Sequence, residues 1–410
     1  MHTPLTPSRE RYLLLTLAGI HFSHILDFMI MMPLGPILMA AFSISTHEFG
    51  LLVASYSFSA ALSGLLAATF VDRFERKGML LAMFALFGLA TLACGLSPGY
   101  ATLLVARGLA GVFGGVMGAM VQTVIGDVIP FARRAKASSF VSAAFSLSTI
   151  AGVPLSLWLA NHLGWRAPFI LIAAFTALFI IIGLRVLPEL RHHINTDKRH
   201  TFSDMFAVLR DANHLRALLF SALIIFSGFT VIPYITLYSV SNVGISQHDI
   251  PIVYLVGGAA TLVTGRLIGH WADLGGKIKI YRLIAAGALL PLFAVTQIGV
   301  APLWLWLICT TAFFVLVSGR MIPAMAIIVS ATPPKLRGTF MSLNATTQSL
   351  AMGLATALAG FIITRNSAGQ IIGYETVGYI AMTANMLAII FSARILMRDQ
   401  HTAAKEIAPE

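Results

Sequence analysis

Charged residues are scarce in this chain: Asp, Glu, Lys and Arg make up 10% of its 410 residues, whereas 58% are hydrophobic. The mean hydropathy is +0.86. A soluble domain of this size does not need so much apolar material, so the composition excludes a soluble globular protein and indicates a bundle of membrane helices. The two cysteines, Cys94 and Cys309, fall in different apolar segments, so neither a disulfide framework nor a metal site is predicted.

Motifs for catalysis are missing as well. The sequence contains no nucleotide-binding glycine loop with its lysine, no metal-ligand spacing and no nucleophile–base pair. We therefore predict that the protein is not an enzyme and uses no cofactor or metal. Residues 1–11 are polar and the first apolar run is long enough for a full span, so no cleavable signal peptide is predicted.

What the sequence has instead is a series of apolar runs of about 20 residues, the length with which a helix crosses a bilayer. The predicted spans lie near residues 12–41, 48–71, 79–97, 100–127, 137–162, 167–187, 215–241, 248–272, 280–299, 302–330, 337–362 and 371–396. One long polar segment divides these twelve spans into six and six. We predict an all-α membrane protein with an N-terminal six-helix bundle (1–190), a cytoplasmic linker (191–214) and a C-terminal six-helix bundle (215–410).

Basic residues are distributed unevenly between the predicted loops. Of the 27 Lys and Arg residues, 22 fall in the termini and in the loops of one side, whereas the loops of the other side contain only Arg166 and Arg365. By the positive-inside rule, both termini are cytoplasmic. The net charge of +11 is therefore a topology signal, with some attraction to anionic lipid, and does not indicate binding of nucleic acid.

The two halves of the chain resemble each other. Residues 44–48 match residues 245–249 at an offset of 201, and Asp72 matches Asp273 at the same offset. In both copies a serine precedes an acidic residue by three positions, which predicts a helix-start capping box in each half. Two similar six-helix halves are the usual construction of a transporter that binds its substrate near the middle of the bilayer.

The loop after the second span carries a family resemblance. It reads Asp72-Arg73-Phe74-Glu75-Arg76-Lys77-Gly78, which resembles the signature loop of the major facilitator superfamily, G-x-L-a-D-R-x-G-R-K. Two glycine positions of that pattern are Ala68 and Glu75 here, whereas the second half keeps glycines around Asp273. The resemblance covers about residues 12–396 and implies the twelve-helix fold of that family and a monomer.

In that family the signature loop stabilises the outward-facing state. The resemblance therefore implies a gating role for a set of charged residues near the cytoplasmic ends of the spans. They are Asp72, Arg73, Arg76, Asp127 and Asp273. The alternative is that these charges only set the topology of the chain.

Asp27 is the one carboxylate that the sequence places deep inside a membrane span. It follows His21 and His24 at three-residue spacing in the first span. A charge at that depth costs roughly 2.5–3.5 kcal/mol on insertion scales, so such a residue usually faces a cavity and has a function. We interpret Asp27 as the binding residue for a coupling proton. The histidines either relay protons and tune Asp27, since histidine titrates near neutral pH, or only hydrogen-bond a neighbour.

Arg107 in the fourth span is the predicted partner of Asp27. The segment from Arg107 to Gly111 resembles the family's fourth-helix motif, R-x-x-q-G, with alanine where glutamine is usual, and Gly111/Gly115 and Gly114/Gly118 are spaced for close helix packing. The first span rises from the cytoplasmic side and Asp27 is about fifteen residues along it. The fourth span descends from the external side and Arg107 is about seven residues along it, so the two side chains lie at about the same depth in the membrane. The pair is either the proton-coupling element or a permanent structural ion pair.

The fifth span contains Gly152-Val153-Pro154-Leu155 and is followed by Gly164-Trp165-Arg166. This stretch resembles that of twelve-helix drug and sugar exporters, including the arabinose-efflux-permease-like branch. In those exporters a glycine–proline element kinks the fifth helix against the eighth and is linked to antiport, so the resemblance implies an antiport-type kink at Gly152 and Pro154. The fuller pattern has more glycines than this chain, and an ordinary proline kink is the alternative.

Polar or adaptable side chains on otherwise apolar spans are candidates for lining a substrate cavity. They are His21, Met31, Gln122, Tyr234, Tyr238, Arg320, Asn344 and Gln348. The two tyrosines are four residues apart, as are Asn344 and Gln348, which places each pair on one helix face. The alternative is that these groups join neighbouring helices by hydrogen bonds. Arg320, which has no obvious carboxylate partner, suits either an anionic substrate group or a contact to backbone carbonyls.

Together these features predict a proton-coupled antiporter of a bacterial inner membrane that exports small amphipathic, drug-like or sugar-like compounds. Because an ATP site is missing, the energy comes from an ion or solute gradient. The expected partners are a small-molecule substrate, protons and the lipid bilayer. The alternatives are a proton symporter or uniporter that imports a small nutrient or organic anion, and a membrane-embedded sensor without flux.

Overall fold

The computed structural model describes residues 7–70, 74–190, 201–333 and 336–398. These residues are almost entirely helical, and among them twelve helices are long and apolar enough to cross a membrane. The predicted all-α membrane fold with twelve spans is confirmed. The chain divides into two compact units, which comprise Met1–Ile44 with Ser55–Lys198 and Ser45–Ala54 with Arg199–Glu410.

The first unit is built from the first six spans. Its helices, with α3 counted from Ser55 onward, are α1 (Pro7–Ile30), α2 (Gly35–Phe42), α3 (Thr46–Phe70), α4 (Arg76–Leu96), α5 (Tyr100–Val128), α6 (Phe131–Leu147), a π-helical turn (Ser148–Gly152), α7 (Val153–Leu163) and α8 (Ala167–Val186). α4 packs against α5 and α8, and α1 packs against α6 and α8. These contacts bury a continuous apolar core that includes Leu17, Phe84 and Val121.

The second unit contains the other six spans and two short strands. Its elements are α9 (Thr201–Arg210), α10 (Ala212–Phe229), a 3₁₀ turn (Ile232–Tyr234), α11 (Ile235–Tyr238), a π-helical turn (Ser239–Val243), α12 (Ile250–Gly275), α13 (Lys277–Gly287), α14 (Leu289–Gln297), α15 (Leu303–Gly319), α16 (Met321–Ser330), α17 (Arg337–Ile362), β1 (Thr364–Arg365), β2 (Ile371–Ile372) and α18 (Tyr374–Ser392). α10 packs against α17 and α18, and α12 packs against α15. β1 and β2 form an antiparallel hairpin in which Arg365 lies opposite Ile371.

Five predicted spans are interrupted where the sequence analysis expected continuous helices. The interruptions lie at residues 31–34, 148–152, 232–243, 288 and 320. Each lies at or within three residues of a proline, and these prolines are Pro33, Pro154, Pro233, Pro291 and Pro323. Proline has no N–H to donate and its ring crowds the carbonyl four residues earlier, so the regular hydrogen-bond ladder stops or changes there.

Two local predictions concern the linker and the capping boxes. The predicted linker of 191–214 contains the helix α9 and the first turn of α10, while its residues 191–200 lie outside the described part of the chain. The capping box forms in the first half, where Ser45 and Glu48 exchange hydrogen bonds of 2.8 and 3.2 Å. It does not form in the second half, because α12 begins one residue after Asp249 and the Asp249 side chain makes no capping bond.

Candidate functional site

The structure brings Asp27 and Arg107 together inside the first unit. Asp27 on α1 has no solvent-exposed surface, and both of its carboxylate oxygens have partners. Nη1 of Arg107 on α5 donates to Oδ2 at 2.8 Å, and the Thr91 hydroxyl on α4 donates to Oδ1 at 3.1 Å. Arg107 also lies 3.4 Å from the backbone carbonyl of Asp27. Three membrane helices therefore meet at one buried carboxylate.

A stripe of glycines on α5 allows this approach. A Cβ atom at Gly111 would lie 2.3 Å from the backbone oxygen of Tyr56 on α3, and one at Gly115 would lie 2.4 Å from that of Ala60. Both distances are too short for a side chain, so the two helix backbones touch. The close packing sets the Tyr56 ring against the site, where Cζ of Arg107 lies 4.7 Å from its centroid.

His24 and His21 follow on from the Tyr56 ring that packs on Arg107. The His24 ring lies 6.4 Å from the Tyr56 ring and 6.2 Å from the His21 ring, measured between centroids. Gly114 leaves room for this group, since a Cβ there would lie 2.3 Å from the Tyr56 hydroxyl and 3.0 Å from Cδ2 of His24. Nδ1 of His24 and the Tyr56 hydroxyl are buried and have no hydrogen-bond partner among the described residues. His21, His24 and Tyr56 therefore form a row of titratable rings that begins at the ring packed on Arg107.

The electrostatics of the pair depend on the protonation of Asp27. Removing a carboxylate and a guanidinium from water costs several kcal/mol for each ion, and their attraction offsets this only with close geometry and additional hydrogen bonds. Those conditions are met here by the 2.8 Å contact and the Thr91 hydroxyl. A proton on Asp27 would cancel the negative charge and leave Arg107 with neutral contacts, namely the face of Tyr56 and the backbone carbonyl of Asp27. The charge balance of the site therefore depends on whether Asp27 carries a proton.

In the second unit the central cation is Arg320, which is fully buried at the junction of α15 and α16. Its guanidinium donates to Oδ1 of Asn385 on α18 and, at 3.1 Å, to the backbone carbonyl of Ile224 on α10. Asn385 in turn donates to the carbonyl of Ala285 at 2.6 Å. Of the two predicted alternatives for Arg320, the structure therefore contains the contact to a backbone carbonyl.

The two candidate tyrosines donate hydrogen bonds to different parts of the second unit. Tyr234 ends a 3₁₀ turn and donates to the carbonyl of Thr356 at 3.0 Å, whereas Tyr238 donates to the carbonyl of Ile298 at 2.9 Å. Both rings are buried and both hydroxyls have a carbonyl partner. A place for either tyrosine in a substrate cavity stays a prediction.

The remaining cavity candidates differ in burial. Met31 is fully buried, whereas Gln122 is exposed and accepts from the Ser138 hydroxyl at 2.8 Å. Gln348 is partly exposed, and its Nε2 donates to the Ser221 hydroxyl at 2.9 Å. Asn344, one turn earlier, is buried with its Oδ1 unpartnered among the described residues. Asn344 and Gln348 therefore present hydrogen-bonding atoms on one side of α17.

Comparison with known proteins decides the family. The sequence profile of the Major Facilitator Superfamily matches residues 17–356, which is most of the chain. The chain belongs to the Major Facilitator Superfamily.

Relatives of the chain include proteins named for sugar efflux and for multidrug resistance. A probable sugar efflux transporter of Mannheimia succiniciproducens is 23% identical over 322 residues, which covers 78% of this chain and 77% of that protein. Multidrug resistance protein 2 of Bacillus subtilis is 25% identical over 351 residues, which covers 82% of this chain and 85% of that protein. A crystal structure of a bacterial homologue of the human lysosomal transporter Spinster matches with a TM-score of 0.76 at 16% identity, over 96% of this chain and 99% of that one. That likeness shows the fold.

As a major facilitator protein, the chain is a multi-pass inner-membrane transporter of small molecules and not an enzyme. Of the residues that the signature loop assigned to gating, Arg76 and Asp127 are brought together, with Nε 2.6 Å from Oδ2. Asp273 is exposed near the end of α12, and Asp72 and Arg73 lie outside the described residues. The gating role itself stays a prediction.

Glu75 stands where the superfamily signature has a glycine, and the structure explains this departure. Its carboxylate caps the start of α4 by accepting from the backbone N–H groups of Lys77 at 3.0 Å and Gly78 at 2.6 Å. It also accepts from the N–H of Leu190 at 2.9 Å, which fixes the segment after α8. An acidic residue just before a helix start is a capping signal that can be recognised in the sequence. The contact with Leu190 could not be predicted from the sequence.

The glycine–proline element of the fifth span lies against α1. A Cβ at Gly152 would be 2.8 Å from Cδ1 of Leu26, and the π-helical turn ends at this glycine just before Pro154. The kink therefore places α7 next to the helix that carries Asp27. Its link to antiport stays a prediction.

Thr91 and Tyr56 are the site residues that sequence reasoning missed. A hydroxyl in the middle of an apolar span was a visible signal for Thr91, whereas nothing in the sequence singled out Tyr56 among the tyrosines of the chain.

Proposed function

We propose that this transporter is a proton-coupled antiporter that exports small amphipathic, drug-like or sugar-like compounds by alternating access, with Asp27 as the proton-binding residue. The observation that carries the proposal is a fully buried carboxylate in the first membrane helix whose charge is balanced by Arg107 at 2.8 Å. Ionisable groups at membrane depth are rare and mark proton or substrate pathways. Two relatives named for sugar efflux and multidrug resistance support export of such compounds.

In this mechanism the proton and the substrate compete. Protonation of Asp27 from outside weakens its hold on Arg107 and allows α1 and α5 to shift against each other. Substrate that arrives from the cytoplasm then favours release of the proton, which restores the ion pair. His24 and Tyr56 act as positioning groups for this exchange, because their rings fix the space around Arg107. The uneven distribution of basic residues supports cytoplasmic termini.

On the second unit we assign the substrate contacts to Asn344 and Gln348. Both retain polar atoms on the same side of α17, and amide groups can donate to and accept from hydroxyl-bearing or zwitterionic compounds. Arg320 is left to its structural contacts with Asn385 and Ile224, since its guanidinium is enclosed by them.

The proposal is tested in inverted membrane vesicles with an acidic lumen that is reported by a pH-sensitive dye. Cationic drugs, sugars, amino acids and organic anions are added in turn. Antiport predicts that one class of compound releases protons from the lumen, and that Asp27→Asn abolishes the release while the protein still unfolds cooperatively. Asp249→Asn is the matched control, because this carboxylate makes no capping bond and lies outside the site.

Two outcomes would contradict the proposal. Undiminished proton release by Asp27→Asn would remove Asp27 from the coupling reaction. Proton movement in the same direction as the compound, measured in right-side-out vesicles, would make the protein a symporter that imports its substrate.

A further inference from the structure

The short helix α9 is held firmly at the beginning of the second unit's first span. Val208 is fully buried, and α9 packs against α10 and α17. Only Asp211 separates α9 from α10, and its carboxylate caps α10 by accepting from the N–H of Asn213 at 2.8 Å. Because α10 begins the membrane span at Ala212, α9 lies within one residue of the membrane boundary.

The other side of α9 presents apolar side chains without cover. Phe206 and Leu209 are 55% and 44% exposed, and the guanidinium of Arg210 lies 4.2 Å from the centre of the Phe206 ring. Exposed aromatic and aliphatic side chains next to a cation are typical of helices that lie in the interface of a membrane, with the apolar groups among the acyl chains and the cation at the headgroups.

The lipid-facing side of α10 continues this surface. Leu215 and Leu219 are exposed one turn apart in the first two turns of the span, and Arg216 is exposed beside them. The charge of the intervening Asp211 is already balanced by Arg398, whose Nη2 lies 2.7 Å from Oδ2. Arg210, the last residue of α9, and Arg216, in the first two turns of α10, are therefore two exposed cations on either side of Asp211 with exposed apolar side chains beside them.

We propose that α9 and the first two turns of α10 form a binding site for anionic phospholipid. The guanidinium groups of Arg210 and Arg216 hold the phosphate of the headgroup, and the acyl chains cover Phe206, Leu209 and Leu215. Arginine suits this role because its planar fork of donors matches phosphate geometry. The site is independent of the direction of transport and of the role of Asp27, since it requires only that the chain spans a membrane.

The first test compares phosphatidylglycerol with phosphatidylcholine as probes for the purified full-length chain in nanodiscs. We expect phosphatidylglycerol to be retained in native mass spectra and to raise the unfolding temperature. In the double variant Arg210→Gln/Arg216→Gln, its apparent affinity should fall about thirtyfold, since each cation near an anionic surface contributes roughly 1 kcal/mol and each 1.4 kcal/mol is a tenfold change. Lys279→Gln, an exposed cation at the start of α13, is the matched control and should change nothing.

The second test identifies what covers the apolar side of α9. A photoreactive benzoyl-phenylalanine in place of Phe206 should crosslink to phospholipid acyl chains in phosphatidylglycerol-containing vesicles. Crosslinking to another polypeptide would overturn the proposal and identify a protein contact instead. An unchanged phosphatidylglycerol dependence in the double arginine variant would overturn it as well. Both arginines are exposed, so the double variant is expected to fold.

Discussion

A methyl group added at Gly111 tests whether close packing of α3 and α5 holds the Asp27–Arg107 pair in place. The new Cβ would lie 2.3, 2.8 and 2.9 Å from the backbone oxygen, Cα and carbonyl carbon of Tyr56. None of these atoms can rotate away as a side chain would. Ordinary contact begins near 3.4 Å, so α3 and α5 must separate by about 1 Å.

The free-energy change of Gly111→Ala combines two opposing effects. Forcing an extra methyl into a packed interface costs about 1–3 kcal/mol. Alanine in a helix is more favourable than glycine by about 1 kcal/mol, so the net destabilisation is about 0–2 kcal/mol. Gly118→Ala is the matched control on the same helix, because a Cβ at Gly118 meets nothing within 4 Å. It should leave stability unchanged or raise it by up to about 1 kcal/mol.

The separation should also disturb the ion pair, because Arg107 is one turn from Gly111 and packs on the Tyr56 ring at 4.7 Å. Thermal unfolding in detergent measures the stability of the two variants, and dye-reported proton release in vesicles measures their coupling. We expect Gly111→Ala to unfold at a lower temperature than Gly118→Ala and to release fewer protons for each substrate addition. Equal unfolding temperatures for the two variants would refute the packing argument.

Further predictions concern single contacts, and thermal unfolding measures each of them. Glu75→Ala removes the cap of α4 and should lower stability by about 0.5–2 kcal/mol; an unchanged unfolding temperature would show that water replaces the cap. Partial burial alone would raise the pKa of Asp211, but hydrogen bonds from Arg398 and from the backbone lower it overall. The stability that this carboxylate contributes is therefore present above its unfolded pKa of about 4 and is lost as the pH falls further, so Asp211→Asn should destabilise the protein at pH 7 and converge with the unmodified chain in acid. The Tyr374 hydroxyl donates to the carbonyl of Val231 at 3.1 Å, whereas the Tyr281 hydroxyl has no partner among the described residues. Tyr374→Phe should thus cost about 0.5–1.5 kcal/mol and Tyr281→Phe nothing, and the reverse order would contradict these assignments.

The contrast between Arg107 and Arg320 shows how far sequence reasoning reaches into the site. Depth along two antiparallel helices was enough to pair Asp27 with Arg107, because rise per residue is a local property of a helix. The same reasoning gave Arg320 no partner, since its contacts are an amide 65 residues away and a backbone carbonyl 96 residues away. Every residue has a backbone carbonyl, so the sequence does not indicate which carbonyl a cation will contact. An asparagine in an apolar span could bond to many neighbouring helices, so the sequence does not indicate its partner either.

The two tyrosines of the seventh span show a different limit. Their spacing predicts a shared face, and the sequence did not predict that the helix around them changes from 3₁₀ to α and then to π geometry. The proline was visible, and it predicts that the ladder breaks. How the chain continues after the break depends on what it packs against, here the carbonyls of Thr356 and Ile298.

The sequence by itself determined the twelve spans and their division into two halves. It could do so because the free energy of transferring a segment into lipid is nearly the sum of the contributions of its own residues, so a span can be recognised from a short stretch of sequence. The positions of the loops then follow from the positions of the spans. Only the tertiary structure decided that Gly111 and Gly115 touch α3, whereas a Cβ at Gly118 would meet none of the described residues within 4 Å, and that Glu75 holds Leu190. These facts depend on which helix faces meet and at what distance, and that choice is made by the packing of the whole bundle at once.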